Sequence, residues 1–102
     1  MSKFQNLVQG STPVLIDFFA TWCGPCKMMT PVLEAVKEEL QDNIVILKVD
    51  VDKNPKLAAQ YQVRGVPTFL LFQKGQLLWR QSGMLQKNDL VAVVQQHTRL
   101  TP

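Results

Sequence analysis

A chain of 102 residues, 46% hydrophobic and 19% charged, is long and apolar enough to build one core, which excludes a disordered segment and makes residues 1–102 a single expected domain. The net charge of +3 carries no dense Lys/Arg block and no interleaved aromatics, so nucleic acid is not an expected partner, and no apolar run approaches a membrane span. The start, Met1-Ser2-Lys3-Phe4-Gln5, lacks the apolar stretch of a signal peptide, and two cysteines do not make a secreted disulfide framework, so the expected setting is a reducing, cytoplasmic one.

Phe4, Leu7 and Val8 recur at helical spacing and Gly10 follows as a stop, which predicts a short first helix. Val14 to Ala20 is almost continuously apolar and predicts a strand buried on both faces of a parallel sheet. Met29, Val32, Val36 and Leu40, with Leu33 beside them, then mark one face of a helix. Pro31 falls inside that pattern and should bend the helix, because it removes a backbone donor. Ile44 to Val49 predicts a second buried strand, completing a right-handed βαβ unit. Asn54-Pro55 reads as a cap followed by proline in the first turn of a helix running to about Tyr61. Thr68 to Phe72 and Leu77 to Gln81 flank Gln73-Lys74-Gly75-Gln76, an antiparallel hairpin. Leu90, Val91 and Val94 mark the inner side of a last helix. The expected fold is α/β, in the order α, βαβ, α, ββα, with a mixed sheet covered by helices.

The only two cysteines lie in Trp22-Cys23-Gly24-Pro25-Cys26-Lys27, where the strand pattern gives way to the helical one. A structural staple closing so short a loop stabilises by about 2 kcal/mol, against roughly 4.7 for a 100-residue loop. A zinc site normally needs four ligands, and the only histidine, His97, is far along the chain on the last helix and reads as a partly exposed surface residue. A redox pair needs nothing further. Lowering a thiol pKa from ~8.5 to ~7 at a helix start raises its thiolate fraction at pH 7 about 16-fold, but the loss of intrinsic nucleophilicity takes back about fivefold. The larger gain comes from a second thiol held within reach, which makes release of a mixed disulfide intramolecular. Helix geometry predicts that Cys23 is exposed and attacks, and that Cys26 faces inward and resolves.

Asp17 interrupts the first apolar strand. A carboxylate there is costly unless it is paired, hydrogen-bonded at an edge, or neutral through a raised pKa. The two readings are a satisfied structural acid and a general base, acting through water, for Cys26. Lys48, in the neighbouring strand, is the candidate ionic partner. Trp22 reads from the residues alone as either core or surface, and Trp79 as core or edge cover.

At this point the chain resembles the thioredoxin family. The resemblance spans Asp17 to Lys27, then Pro31, Asp50-Val51-Asp52-Lys53-Asn54-Pro55, Val63-Arg64-Gly65-Val66-Pro67-Thr68, Gly75 and Gly83, in family order and spacing from Pro13 onward. Thioredoxins are themselves the standing instance of a cysteine pKa lowered in this way. The resemblance implies a thioredoxin fold and a general protein disulfide reductase of the cell interior. It implies no bound cofactor and no metal, with electrons drawn from NADPH through a separate flavoprotein reductase. It makes Asp17 the buried acid that deprotonates Cys26, with Lys48 beside it. Gly24 and Pro25 would tune the redox pair, and Pro67 would be a cis proline facing the sulfurs. Trp22, Val66, Pro67, Gly83 and Met84 would contact disulfide-containing client proteins, Val66 by backbone pairing with an extended segment. A monomer is expected.

The chain departs from the family pattern before Pro13, where there is room for a helix but not for the extra first strand usual in the family. The sheet should then have four strands. The outer edge of the Ile44 to Val49 strand should be open, covered by the first helix, or used in self-association. Phe19 stands where many relatives carry tryptophan, and Met84 where they carry a smaller residue. The competing functions are a binding subunit of a larger assembly and a disulfide oxidant or isomerase.

Overall fold

The computed structural model describes residues 2–98, so the outer ends of the expected 1–102 domain lie outside the described residues. Four helices and four strands alternate as α1 (Lys3–Val8), β1 (Val14–Phe19), α2 (Gly24–Leu40), β2 (Val45–Asp50), α3 (Pro55–Gln60), β3 (Thr68–Gln73), β4 (Gln76–Ser82) and α4 (Lys87–His97), with a 3-10 turn at Gln41–Asn43. The sheet order is β2-β1-β3-β4, with β1 and β2 parallel and the other pairs antiparallel. The expected element order and four-stranded mixed sheet are therefore observed.

Alternation along β1 divides the core in two. Leu15 faces α2 and α4 with Met29, Leu33, Phe69, Leu71 and Leu90. Val14, Ile16 and Phe18 face the other way, toward Val8, Phe72 and the ring of Tyr61. The α1 helix packs on this second face. Its Phe4 ring lies 6.0 Å from Tyr61 and 6.3 Å from Phe72, while Leu7 points outward at 37% exposure. Two backbone bonds, Lys74 N–H to Gly10 and Gly75 N–H to Val8, tie the end of α1 to the β3–β4 turn. In that turn Lys74 and Gly75 both take positive φ, as the two central residues of a tight hairpin require. Pro31 lies within the continuous α2 helix.

One strand departs from expectation. Ile44 to Val49 reads as fully buried, but β2 pairs with β1 alone among the described strands. Val45, Ile46 and Leu47 are half-buried and Lys48 is exposed. A hydrophobic run declares that a strand has two covered faces, not that it has two hydrogen-bonding neighbours. The exposed lysine is a usual guard of such an edge. Of the three fates foreseen for that edge, cover by α1 does not occur, because α1 sits over Phe72 and Tyr61. Asn54 is the N-cap residue of α3, as expected, but its side chain donates to Asp50 O instead of capping the helix.

Candidate active site

The β1 strand ends at Phe19 and the chain enters α2 through Ala20, Thr21 and Trp22, which places Cys23 at the N-cap. Its sulfur takes the place of the usual hydroxyl or carboxylate cap and accepts the Cys26 N–H at 3.1 Å. Cys23 and Cys26 are joined as a disulfide, with their Cα atoms 5.3 Å apart. Charge on Cys23 would sit at the positive end of a 17-residue helix with one N–H already aimed at it.

Cys23 is not exposed. It is 4% accessible, equal to Cys26. The helix tip alone predicts an open sulfur, but a segment 43 residues away covers it: the Val66 carbonyl oxygen stands 3.7 Å from Cys23 Sγ. Phe19, Ala20 and Val51 complete the apolar cluster around the pair. The Val66-Pro67 bond is cis. Its loop is held in place from β3 and β4. Thr68 Oγ1 donates to Gly65 O at 2.6 Å and meets Ser82 Oγ at 2.8 Å, and Gly83 N–H reaches Pro67 O at 2.8 Å. Gly83 does this at φ +98°, a backbone conformation that L side chains rarely adopt.

Asp17 is fully buried, and neither carboxylate oxygen has a hydrogen-bond partner. Its position in β1 alternates with Ile16 and Phe18, so it shares the α2-facing side with Leu15, beneath the helix that carries Cys26. Desolvation raises its pKa from 3.8 to about 6, and the charge of Lys48 offsets part of that rise. Lys48 is the register partner of Asp17 across β1 and β2, but it is not an ion-pair partner in contact. Its ammonium sits 5.1 Å above the Phe19 ring. An edge strand lets a lysine turn to solvent and an aromatic face instead of entering the core. A cleft of about 220 Å³ opens beside Cys26, lined also by Phe19, Lys27, Thr30 and Lys48.

The expected contact residues are spread around the disulfide. Trp22 is 70% exposed and Met84 47%. Gly24, Pro25 and Gly83 are exposed, Val66 is half-buried, and Pro67 is buried. Trp22 is therefore surface, not core. Two residues without an assigned role hold it there. Asp52 Oδ2 accepts the Trp22 indole N–H at 2.9 Å. Asp50 Oδ1 in turn accepts the Asp52 N–H at 2.9 Å and shapes the loop after β2. The signal for both was the Asp50-Val51-Asp52 run in the family motif, which named the residues without a partner. His97 is exposed and contacts the Val93 carbonyl, remote from the sulfurs, and Trp79 packs against the α2-side core. Among the described residues, no group of three or more His, Cys, Asp or Glu is placed to hold a metal ion.

Comparison with known proteins agrees with this geometry. The family model described as thioredoxin matches residues 1–96. Thioredoxin Y2, chloroplastic, of Arabidopsis thaliana is 50% identical over 91 residues, which cover 88% of this chain but only 54% of that protein. A thioredoxin-like protein of Synechocystis is 45% identical, covering 92% of this chain and 90% of the relative. A thioredoxin of Rickettsia prowazekii is 42% identical, covering 88% and 87%. Among solved structures, a mutant thioredoxin from Halobacterium salinarum superimposes with a TM-score of 0.87 at 37% identity, covering all of this chain and 88% of that one. With its sheet, its disulfide at a helix N-cap and these relatives in agreement, the chain belongs to the thioredoxin family and is a thiol-disulfide oxidoreductase that reduces the disulfides of client proteins.

Proposed function

We propose that residues 1–102 act as one electron-carrying domain in which Cys23 is the attacking thiol and Cys26 the resolving one. In the reduced protein the Cys23 thiolate attacks one sulfur of a client disulfide. The Cys23–client bond forms, the client S–S bond breaks, and the departing client sulfur takes a proton. Cys26 loses its proton and attacks Cys23 Sγ. The protein disulfide forms and the second client thiol leaves. Two electrons pass to the client, and the protein ends in the oxidised state described above. The observation that carries this assignment is the N-cap position of Cys23, with the Cys26 N–H directed at its sulfur. That bond favours a charged Cys23 over a charged Cys26.

Asp17 is proposed to receive the Cys26 proton through water, with Cys26 and Lys48, the charge that acts on Asp17, both lining the cleft from which that water would enter. A buried acid with no partner is a stability cost that a purely structural role does not explain. Lys48 limits that cost and keeps the acid ionisable near neutrality. The Val66 backbone is proposed to pair with an extended client segment, with Pro67 fixing the loop. Trp22, Gly24, Pro25, Gly83 and Met84 supply apolar contact around it. Main-chain pairing does not read side chains, which fits a general reductase. Electrons are proposed to come from NADPH through a separate flavoprotein reductase, with the protein acting as a monomer. A cytoplasmic setting is proposed, although one relative named above is chloroplastic.

Dithiothreitol-driven reduction of insulin tests the assignment. Cys23→Ser abolishes turnover, whereas Cys26→Ser retains attack and accumulates a mixed disulfide visible by mass. The reverse pattern would exchange the two roles. Retained turnover in both variants would remove the pair from the reaction.

A further inference from the structure

Five large hydrophobic side chains are exposed among the described residues: Leu7, Trp22, Met28, Leu77 and Met84. Trp22 and Met84 belong to the proposed client surface. Met28, 62% exposed, has no part in the core, because α2 buries Cys26, Met29, Leu33, Val36 and Leu40 instead. It follows Pro25 by three residues and Gly24 by four, so it stands one turn along the same helix face, about 6 Å of axial rise from Gly24. That stripe continues through Val32, which packs on the core shared with α4, to Glu39, whose carboxylate meets Lys87 Nζ of α4 at 2.5 Å. Met28 is therefore on the flank of α2 that looks toward α4. The loop entering α4 carries Gly83 and Met84, and Gly83 is bonded to Pro67 beside the disulfide.

We propose that Met28 is a specificity-determining contact of this reductase. With Pro25 and Met84 it forms a deformable apolar seat for an aliphatic or aromatic side chain next to the client's disulfide. The occupant is the client segment itself, because the patch is continuous with the helix turn that carries Cys23 and Cys26. Methionine side chains suit such a seat, being flexible, polarisable and able to adapt to different shapes, as at other promiscuous binding surfaces. The protein thus prefers client disulfides flanked by apolar side chains to those flanked by small polar ones. This inference rests on the reading of Cys23 as the point of attack.

The test uses two disulfide-linked peptides that differ only in a leucine or a serine beside the cysteine. It compares the unaltered protein with Met28→Gln, Met28→Leu and Cys23→Ser. The expected preference for the leucine peptide is about tenfold in kcat/KM, falling below about twofold in Met28→Gln through a higher KM and surviving in Met28→Leu. Reduction of a small symmetrical hydroxyl-bearing disulfide, which carries no apolar side chain for the seat, is unchanged in both Met28 variants. The same peptide preference in Met28→Gln as in the unaltered protein would overturn the inference. An equal loss of small-disulfide reduction in Met28→Gln would also overturn it, because a docking contact cannot produce that. Activity persisting in Cys23→Ser would instead overturn the attack assignment beneath it.

Discussion

Replacing Asp17 by asparagine should stabilise the oxidised protein at neutral pH, and the size of the gain follows from the structure. The carboxylate is fully buried with both oxygens unpartnered, and its pKa lies at about 6 against an ordinary 3.8. Because the folded state raises the pKa, it binds more protons than the unfolded state between these two values. Stability from this group is therefore present below about pH 4 and is lost as pH rises through 6. A shift of this size corresponds to roughly 3 kcal/mol once the group is fully charged. Asparagine has a similar shape and never ionises, so Asp17→Asn should gain most of that at pH 7 and little at pH 4. Urea denaturation of both oxidised proteins at pH 4, 5, 6 and 7 measures the difference, and subtracting the curves removes every other titrating group. With m-values of ~1–3 kcal/mol/M, the midpoints should separate by about 1–3 M at pH 7. Parallel pH profiles for the two proteins would refute the argument, since they would mean that Asp17 titrates alike in the folded and unfolded chains.

Three other substitutions have defined outcomes. Lys48→Met removes the charge that lowers the Asp17 pKa, so that pKa should rise above 6, and the pH at which mixed-disulfide resolution becomes fast should rise with it. NMR titration of Asp17 reads the first, and stopped-flow release of client the second. Phe69→Ala empties a fully buried site between β1 and β4 and should cost about 3–5 kcal/mol in urea denaturation, with no change in the order of the sulfur steps. Gly83→Ala meets no neighbour within 4 Å but places a Cβ on a residue at φ +98°, so it should cost about 1–2 kcal/mol through backbone strain alone. Because Gly83 also holds Pro67, its KM for protein clients should rise while reduction of small disulfides stays constant.

The βαβ unit, the hairpin and the cysteine motif were legible because each depends on residues near one another in the chain. Val14 to Ala20 could be assigned from an apolar run, and the hairpin from Gln73-Lys74-Gly75-Gln76 between two strand patterns, of which the structure makes Lys74 and Gly75 the turn. Three features depended on neighbours that the chain does not declare locally. The edge position of β2 follows from what lies beside it, and a run of Val, Ile and Leu reads alike at an edge or a centre. The burial of Cys23 is set by Val66, far along the chain. The orientation of Lys48 follows from Phe19 offering an aromatic face at the sheet edge. Trp22 was ambiguous for the same reason. Its exposure is fixed by Asp52, and an indole N–H that finds a carboxylate at the surface need not be buried.

The near-closure of both sulfurs bears on where selectivity arises. A lowered thiol pKa gains only about threefold in rate at neutral pH once the loss of nucleophilicity is counted. Thiol reactivity alone therefore cannot distinguish a client from any other disulfide in solution. In the oxidised form both cysteines are 4% accessible, and the Val66 carbonyl covers Cys23. On the proposed docking, a client segment that pairs with the Val66 backbone is held next to that sulfur, whereas a small thiol or disulfide approaches it without such a contact. The cover and the proposed backbone docking strip are the same atoms. If the proposed pairing positions clients, discrimination among protein disulfides belongs to docking before any bond is exchanged. Substitutions on the docking surface should accordingly act on KM for protein disulfides, and substitutions at Asp17 and Lys48 on the rate of resolution. A Val66→Pro substitution, which removes the strip's N–H, should raise KM for protein disulfides while leaving resolution of a preformed Cys23 mixed disulfide at its original rate. A slowed resolution step with an unchanged KM would place Val66 in the chemistry instead of the docking.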